Sequence, residues 1–232
     1  MITYNLPQWM TLSFLVVIPI PFILIPFLAK KGAPIATANR TFWTVLLCLA
    51  AYFAYITFAS QMGLFSKVSF PPMVLLLTTF PYAALLFGGV INLTVFKNHL
   101  AQIQVTDLVR VHIFRLIGVF FILIALHDAL PKWFAFIAGL GDMITAITSI
   151  FVANALENKA KNAQKWAFAW NIFGAVDIIF TAVTANVLTK ISISTGAQGV
   201  DALAQFPFCI IPAFAPPTIL LLHYCIFKKL RE

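Results

Sequence analysis

The chain has 232 residues, of which 62% are hydrophobic and only 9% charged, with a mean hydropathy of +0.97. An ordinary soluble domain is about 45–50% apolar and about 25% charged, so soluble globular, disordered, coiled-coil and nucleic-acid-binding classes are excluded. The formal charge of +8 is then read through where the basic residues fall between apolar runs, rather than as a sign of an acidic partner.

A helix that crosses a bilayer needs about 20 residues, and the apolar runs predict seven of them. The first, 9–29, opens at Trp9 and contains Pro19, Pro21 and Pro26, each of which removes a backbone donor and bends its helix. Lys30, Lys31 and Arg40 follow it. The second, 42–64, opens at Trp43 and is followed by Lys67. The third, 72–96, is interrupted by Pro81 and leads to Lys97, with Arg110 just beyond the connection. The fourth, 108–128, carries His112 and Arg115 one turn apart. The fifth, 133–155, starts at Trp133 after Lys132, holds Asp142 and precedes Lys159, Lys161 and Lys165. The sixth, 166–189, carries Trp166, Trp170, Asn171 and Asp177 and ends beside Lys190. The seventh, 206–227, is broken by Pro212, Pro216 and Pro217, holds His223 and runs into Lys228, Lys229 and Arg231. Little chain is left over, so residues 1–232 read as one all-α polytopic domain with short connections.

The basic residues fall on alternating sides. Eleven lie at the 30–41, 97–110 and 156–165 connections and the C-terminal tail, against three (Lys67, Lys132 and Lys190) at the other connections. Basic residues concentrate on the cytoplasmic side, so seven transmembrane helices with the N-terminus outside and the C-terminus cytoplasmic are expected, in the cell inner (plasma) membrane. Tryptophans at the starts of spans fit the headgroup level, where an amphipathic ring is favoured. The opening stretch MITYNLPQWM has no basic leader and no small-residue cleavage site, so the first span is expected to be retained. Cys48, Cys209 and Cys225 lie in apolar runs and form no disulfide framework. Asn39-Arg40-Thr41 and Asn92-Leu93-Thr94 match the glycosylation pattern, but one falls on the cytoplasmic side and the other inside a span.

The informative residues are those that are costly in hydrocarbon. A charge near mid-membrane costs about 2.5–3.5 kcal/mol on insertion scales, and Arg115, Asp142 and Asp177 all fall within spans. Asp142 and Asp177 are placed near the midplane by the 1.5 Å rise of a helix. Asp142, Thr145 and Ser149 share one stripe of the fifth span, and Gly174, Asp177, Thr181 and Thr184 one stripe of the sixth. Polar stripes beside small residues mark helix–helix contacts rather than lipid-facing surface. Arg115 either snorkels to the cytoplasmic headgroups or turns inward to a carboxylate. The aspartates then serve as proton carriers, as a cation site or as counter-ions to Arg115; the plainer alternative is that they only bind neighbouring helices. Gly139-Leu140-Gly141-Asp142 followed by Thr145-Ala146 is echoed by Gly174-Ala175-Val176-Asp177 followed by Thr181-Ala182, a short match that duplication and chance explain about equally.

His112 and His223 sit at similar depth, four or five residues from the cytoplasmic end of their spans, and as neighbours they would suit the axial ligands of a b-type haem with Arg115 near its propionates. His99 is a further candidate ligand, and His127 lies at the opposite interface. No P-loop, HExxH zinc helix, GxSxG elbow, dinucleotide fingerprint or CxxCH motif occurs, and the seventh span has no lysine for a retinal Schiff base.

The stretch from Arg115-Leu116-Ile117-Gly118 to Leu130-Pro131, then Ala138-Gly139-Leu140-Gly141-Asp142 and Trp170-Asn171-Ile172-Phe173-Gly174 with Asp177, resembles a group of uncharacterised bacterial multi-pass membrane proteins. The resemblance covers spans four to seven and brings no activity with it; it implies that Arg115, Asp142, Asn171 and Asp177 act as one constellation. The expected function is binding or translocating a small solute or proton along Arg115, Asp142, Asn171 and Asp177, with Thr145 and Thr181 in support. A haem-binding redox protein using His112 and His223 is the first alternative, and a non-catalytic membrane assembly subunit the second. An enzyme acting on lipids and a homo-oligomer both stay open; nucleic acid is not an expected partner.

Overall fold

The computed structural model describes Tyr4 and residues 6–231. The reading of the opening stretch as uncleaved therefore falls partly outside the described residues. Among the described residues, eight helices longer than one or two turns organise the fold: α1 (Gln8–Gly32), α2 (Ala38–Gln61), α3 (Leu75–Asn92), the short α4 (Thr94–Gln102), α5 (Val105–Leu126), α6 (Lys132–Glu157), α7 (Ala163–Thr195) and α8 (Ile210–Arg231). All but α4 are long and apolar enough to cross a membrane, and they coincide with the seven expected runs to within a few residues. The largest departure is α7, which continues six residues past its expected end before Gly196 adopts the left-handed conformation (φ 73°) that stops it.

α5 and α8 form the centre. Of their most apolar stretches, 67% and 61% is buried, against 17% for α2 and α3. α6 packs along α5 and α7, α8 packs against α7 and α3, and α1 lies against α2, α4 and α5. Phe14 of α1 meets Phe120 of α5 edge-on at 5.0 Å and Phe208, just ahead of α8, at 5.1 Å. Phe22 stacks on Phe214 at 4.4 Å. The outward faces carry large apolar side chains such as Leu12, Val16, Leu47, Phe58, Ile144, Phe151, Val176 and Val183. At the end of the bundle that carries the 33–37 and 158–162 connections, Lys31 reaches Asp107 at 2.6 Å and Arg110 pairs with Glu157.

Local irregularities follow from composition. α1 breaks at Ile18, between Gln8–Val17 and Pro19–Gly32, because Pro19 has no N–H for the carbonyl of Leu15 four residues earlier and interrupts the hydrogen-bond ladder there. α3 holds two π turns, Leu75–Thr79 and Leu85–Gly89, around the Pro81 segment. α5 holds an eight-residue 3-10 stretch, Val111–Gly118, at least twice the usual length of such runs, about 3–4 residues.

In α8, Pro216 and Pro217 leave the carbonyls four residues earlier, those of Pro212 and Ala213, without helical donors. Both are served from neighbouring helices: Thr79 Oγ1 donates to Pro212 O at 2.7 Å, and Tyr52 Oη to Ala213 O at 2.9 Å. Each carbonyl that the proline pair frees therefore has a donor from a neighbouring helix.

Candidate functional site

The 3-10 stretch sets up the site. At three residues per turn, positions three apart lie in one row, so His112, Arg115 and Gly118 face the same way, whereas an α-helix would fan them apart. Arg115 is fully buried and turns inward rather than to the headgroups. Its Nε donates to Asp142 Oδ1 at 2.7 Å and its Nη2 to Asp177 Oδ2 at 2.7 Å. Nη1 donates to Gly174 O at 3.2 Å and to His223 Nε2 at 3.1 Å. Four of the five guanidinium N–H groups are thereby used, and one residue ties α5, α6, α7 and α8 together.

The proton positions follow from what arginine can do. Arginine only donates, so His223 Nε2 accepts and the ring is neutral with its proton on Nδ1. That proton goes to Asn171 Oδ1 at 2.7 Å, and Asn171 Nδ2 donates back to the His223 carbonyl at 3.0 Å. Asn171 thus fixes both the tautomer and the placement of the imidazole.

Glycines make this density of polar groups feasible. A Cβ on Gly141 would overlap the Asp177 carboxylate, and one on Gly174 would come within 2.7 Å of the His223 ring and 2.9 Å of Thr145 Cγ2. Thr145 is buried and donates to Gly141 O at 2.8 Å. The two Gly-containing segments that echo each other in sequence therefore present their aspartates to different nitrogens of one guanidinium.

His112 lies beside this cluster. Its ring is 4.4 Å from that of His223 and meets Trp170 edge-on at 5.2 Å, and neither ring nitrogen has a hydrogen-bond partner. An iron with two axial imidazoles lies between their rings; here the two rings touch each other directly, and His223 Nε2 faces Arg115. His99 and His127 lie apart from the cluster, on α4 and just past α5. Among the described residues no group of three or more His, Cys, Asp or Glu side chains is placed to hold a metal ion.

Trp170 differs from the other four tryptophans. It is buried, with Nε1 donating to Thr145 O at 3.2 Å and to Thr148 Oγ1 at 3.0 Å, whereas Trp9, Trp43, Trp133 and Trp166 are exposed near the starts of their helices.

A cavity of about 300 Å³ runs from the 62–74 and 196–209 connections down to Asp142. Its walls include Phe65, Phe80, Phe121, Phe134 and Ile178, with Thr79, Thr181, Asn186, Thr189, Ser69 and Ser192 as the polar interruptions; Lys67 and Asp201 stand at its mouth. Thr181, expected to support the site, thus lines the approach rather than the cluster itself.

A family model for a domain of unknown function, DUF8737, matches residues 71–231. The chain belongs to the DUF8737 family. The DUF8737 region begins just ahead of α3 and takes in α3–α8, so it contains Arg115, Asp142, Asn171, Asp177, His112 and His223, while α1 and α2 lie before it. No curated protein and no solved structure matches the chain.

Arg115, Asp142, Asn171 and Asp177, expected as one constellation, do lie together, and His223 joins them as a fifth member. Sequence reasoning placed His223 only with His112, as a haem ligand. The glycine three residues after Arg115 and those at 141 and 174 are the signal for this close approach.

Proposed function

We propose that this DUF8737 chain is an integral inner-membrane protein of seven spans, with its N-terminus outside and its C-terminus cytoplasmic, that binds or translocates a small solute or proton through the polar site between α5, α6, α7 and α8. The observation that carries the reading is the cavity whose floor is Asp142. An ion pair serving only to hold helices together has no need of an open approach, whereas a pathway has. The large apolar side chains on the outside of the bundle support a bilayer as surroundings.

The charge count supports traffic at the site. Arg115 offers one positive charge and Asp142 and Asp177 two negative ones, with His223 neutral. A surplus buried charge is expensive, so the cluster is balanced by taking up a proton or one other positive charge, and releasing it is the elementary step of carriage. Asp142 meets the approach, Arg115 holds the two carboxylates at fixed separation, and Asn171 orients His223.

The test is proton flux into sealed vesicles holding the purified chain and an internal pH-sensitive dye. Asp142→Asn and Asp177→Asn should each abolish flux while keeping the wild-type helical spectrum and elution volume; full flux in both variants would make the aspartates structural and end this reading. The haem alternative draws on the meeting of His112 with His223. A Soret band that disappears in His223→Ala would favour it, and a colourless preparation would remove it.

A further inference from the structure

The same cavity carries a statement about ligand class, which rests on the reading of Asp142 as the floor of a binding path. We infer that it takes an amphiphilic monocation: a protonated amine on a compact apolar body, ammonium toward Asp142 and hydrocarbon against the phenylalanines.

Three independent features favour that class. The first is shape and lining. A volume of about 300 Å³ is at the lower end for small-molecule sites, which are characteristically apolar with a few placed polar groups. A bare proton makes no use of the aromatic lining, and a sugar or a hydrated inorganic ion would leave its polar groups against Phe65, Phe80, Phe121 and Phe134. The aromatic faces favour a cation, which is attracted to the ring quadrupole.

The second is hydrogen-bond polarity. Thr79 spends its hydroxyl proton on Pro212 O, Thr189 spends its own on Ala185 O, and Asn186 uses an amide N–H on Ala182 O. What these two hydroxyls have left for a ligand is oxygen lone pairs, and Asn186 adds its side-chain carbonyl oxygen beside its second amide N–H. Acceptors suit an ammonium, which has three donors and no acceptor.

The third is charge. Arg115 is fully buried behind the two carboxylates, so the ligand meets Asp142 and not the guanidinium. Asp142 binds Arg115 through Oδ1 and reserves Oδ2. Counting the mouth, the cavity is lined by two acids, Asp142 and Asp201, against Lys67. An ammonium at Asp142 supplies the one positive charge that balances the cluster, so it would take the place of the balancing proton.

The test is calorimetric titration of the full chain in phosphatidylcholine nanodiscs at neutral pH, with heats from empty nanodiscs subtracted. Three probes share one apolar body and differ in charge: 2-phenylethylammonium, 2-phenylethanol and 3-phenylpropionate. The ammonium should bind saturably at one site, the alcohol about tenfold or more weakly, and the carboxylate should give no heat above the empty discs. Asp142→Asn should weaken the ammonium by about tenfold or more. Ala185→Trp, which fills the shaft away from the ionic cluster, should abolish binding. No binding of the ammonium, equal binding of all three probes, or ammonium binding undiminished in Ala185→Trp would each overturn the inference. The probe series and Ala185→Trp decide the matter even where Asp142→Asn does not fold. Aspartate-dependent proton flux without ammonium binding would sink the ligand class and leave the pathway standing; ammonium binding with flux indifferent to the aspartates would do the reverse.

Discussion

Arg115 is the residue on which the largest number of elements depend, since its donors end on α6, α7 and α8 while its Cα belongs to α5. Replacing it by Gln would leave two carboxylates in an apolar interior with no counter-ion, and breaking a buried ion pair from one side costs about 3–5 kcal/mol. The triple variant Arg115→Gln, Asp142→Asn, Asp177→Asn removes all three charges and should unfold at higher denaturant than Arg115→Gln alone. Denaturant titration in micelles, followed by helical signal, compares the two; equal midpoints would mean that the carboxylates do not depend on the guanidinium. Gly141→Ala should act differently, because the added methyl displaces the Asp177 carboxylate. Overpacking of this kind costs about 1–3 kcal/mol, read as a lowered midpoint in the same titration. The ionisable members of the site were legible from sequence because charge within an apolar run stands out on its own. Asn171 came with them through the resemblance, but the place of His223 among them was not legible. A neutral histidine carries no such excess cost, and only three-dimensional proximity reveals that its Nε2 accepts from Arg115.

Among the helices, the proline pair of α8 shows how an irregularity is absorbed. The two carbonyls it frees are taken by Thr79 and Tyr52, from α3 and α2. Thr79→Val should cost about 1–3 kcal/mol, the penalty for an unsatisfied buried group. In a Pro216→Ala background the restored N–H returns to Pro212 O, and most of that cost should vanish. A double-mutant cycle on unfolding midpoints reads the coupling, and additive effects would show that Thr79 acts otherwise. The prolines themselves were plain in the sequence, whereas their partners lie about 130 to 160 residues away in the chain and no local pattern points to them. The 3-10 stretch of α5 was hidden for a related reason. An amphipathic run of this length fits the α-helical period as well as the 3-10 period, and the row of His112, Arg115 and Gly118 that goes with the tighter winding is visible only in three dimensions.

At the scale of the whole molecule, the positions of the seven long helices were readable because length and apolarity alone determine them. Their arrangement was not, since charge alternation orders the ends of helices and says nothing of neighbours. That alternation yields its own prediction. In a variant lacking Cys48, Cys209 and Cys225, a cysteine at Ser66 should react with a membrane-impermeant thiol reagent added to intact cells. One at Lys161 should react only after the cells are opened. The reverse pattern would invert the orientation, and with it the side from which the cavity is entered.

The winding of α5 has a mechanical corollary. Eight residues advance about 2.0 Å each in 3-10 form and about 1.5 Å each in α form. Relaxation to α geometry would therefore shorten this segment by about 4 Å, and would rotate Gly118 against His112 by about 120°. A guanidinium released by both its carboxylates would travel as on a turning screw, drawn along the helix axis and swung off its row in a single movement.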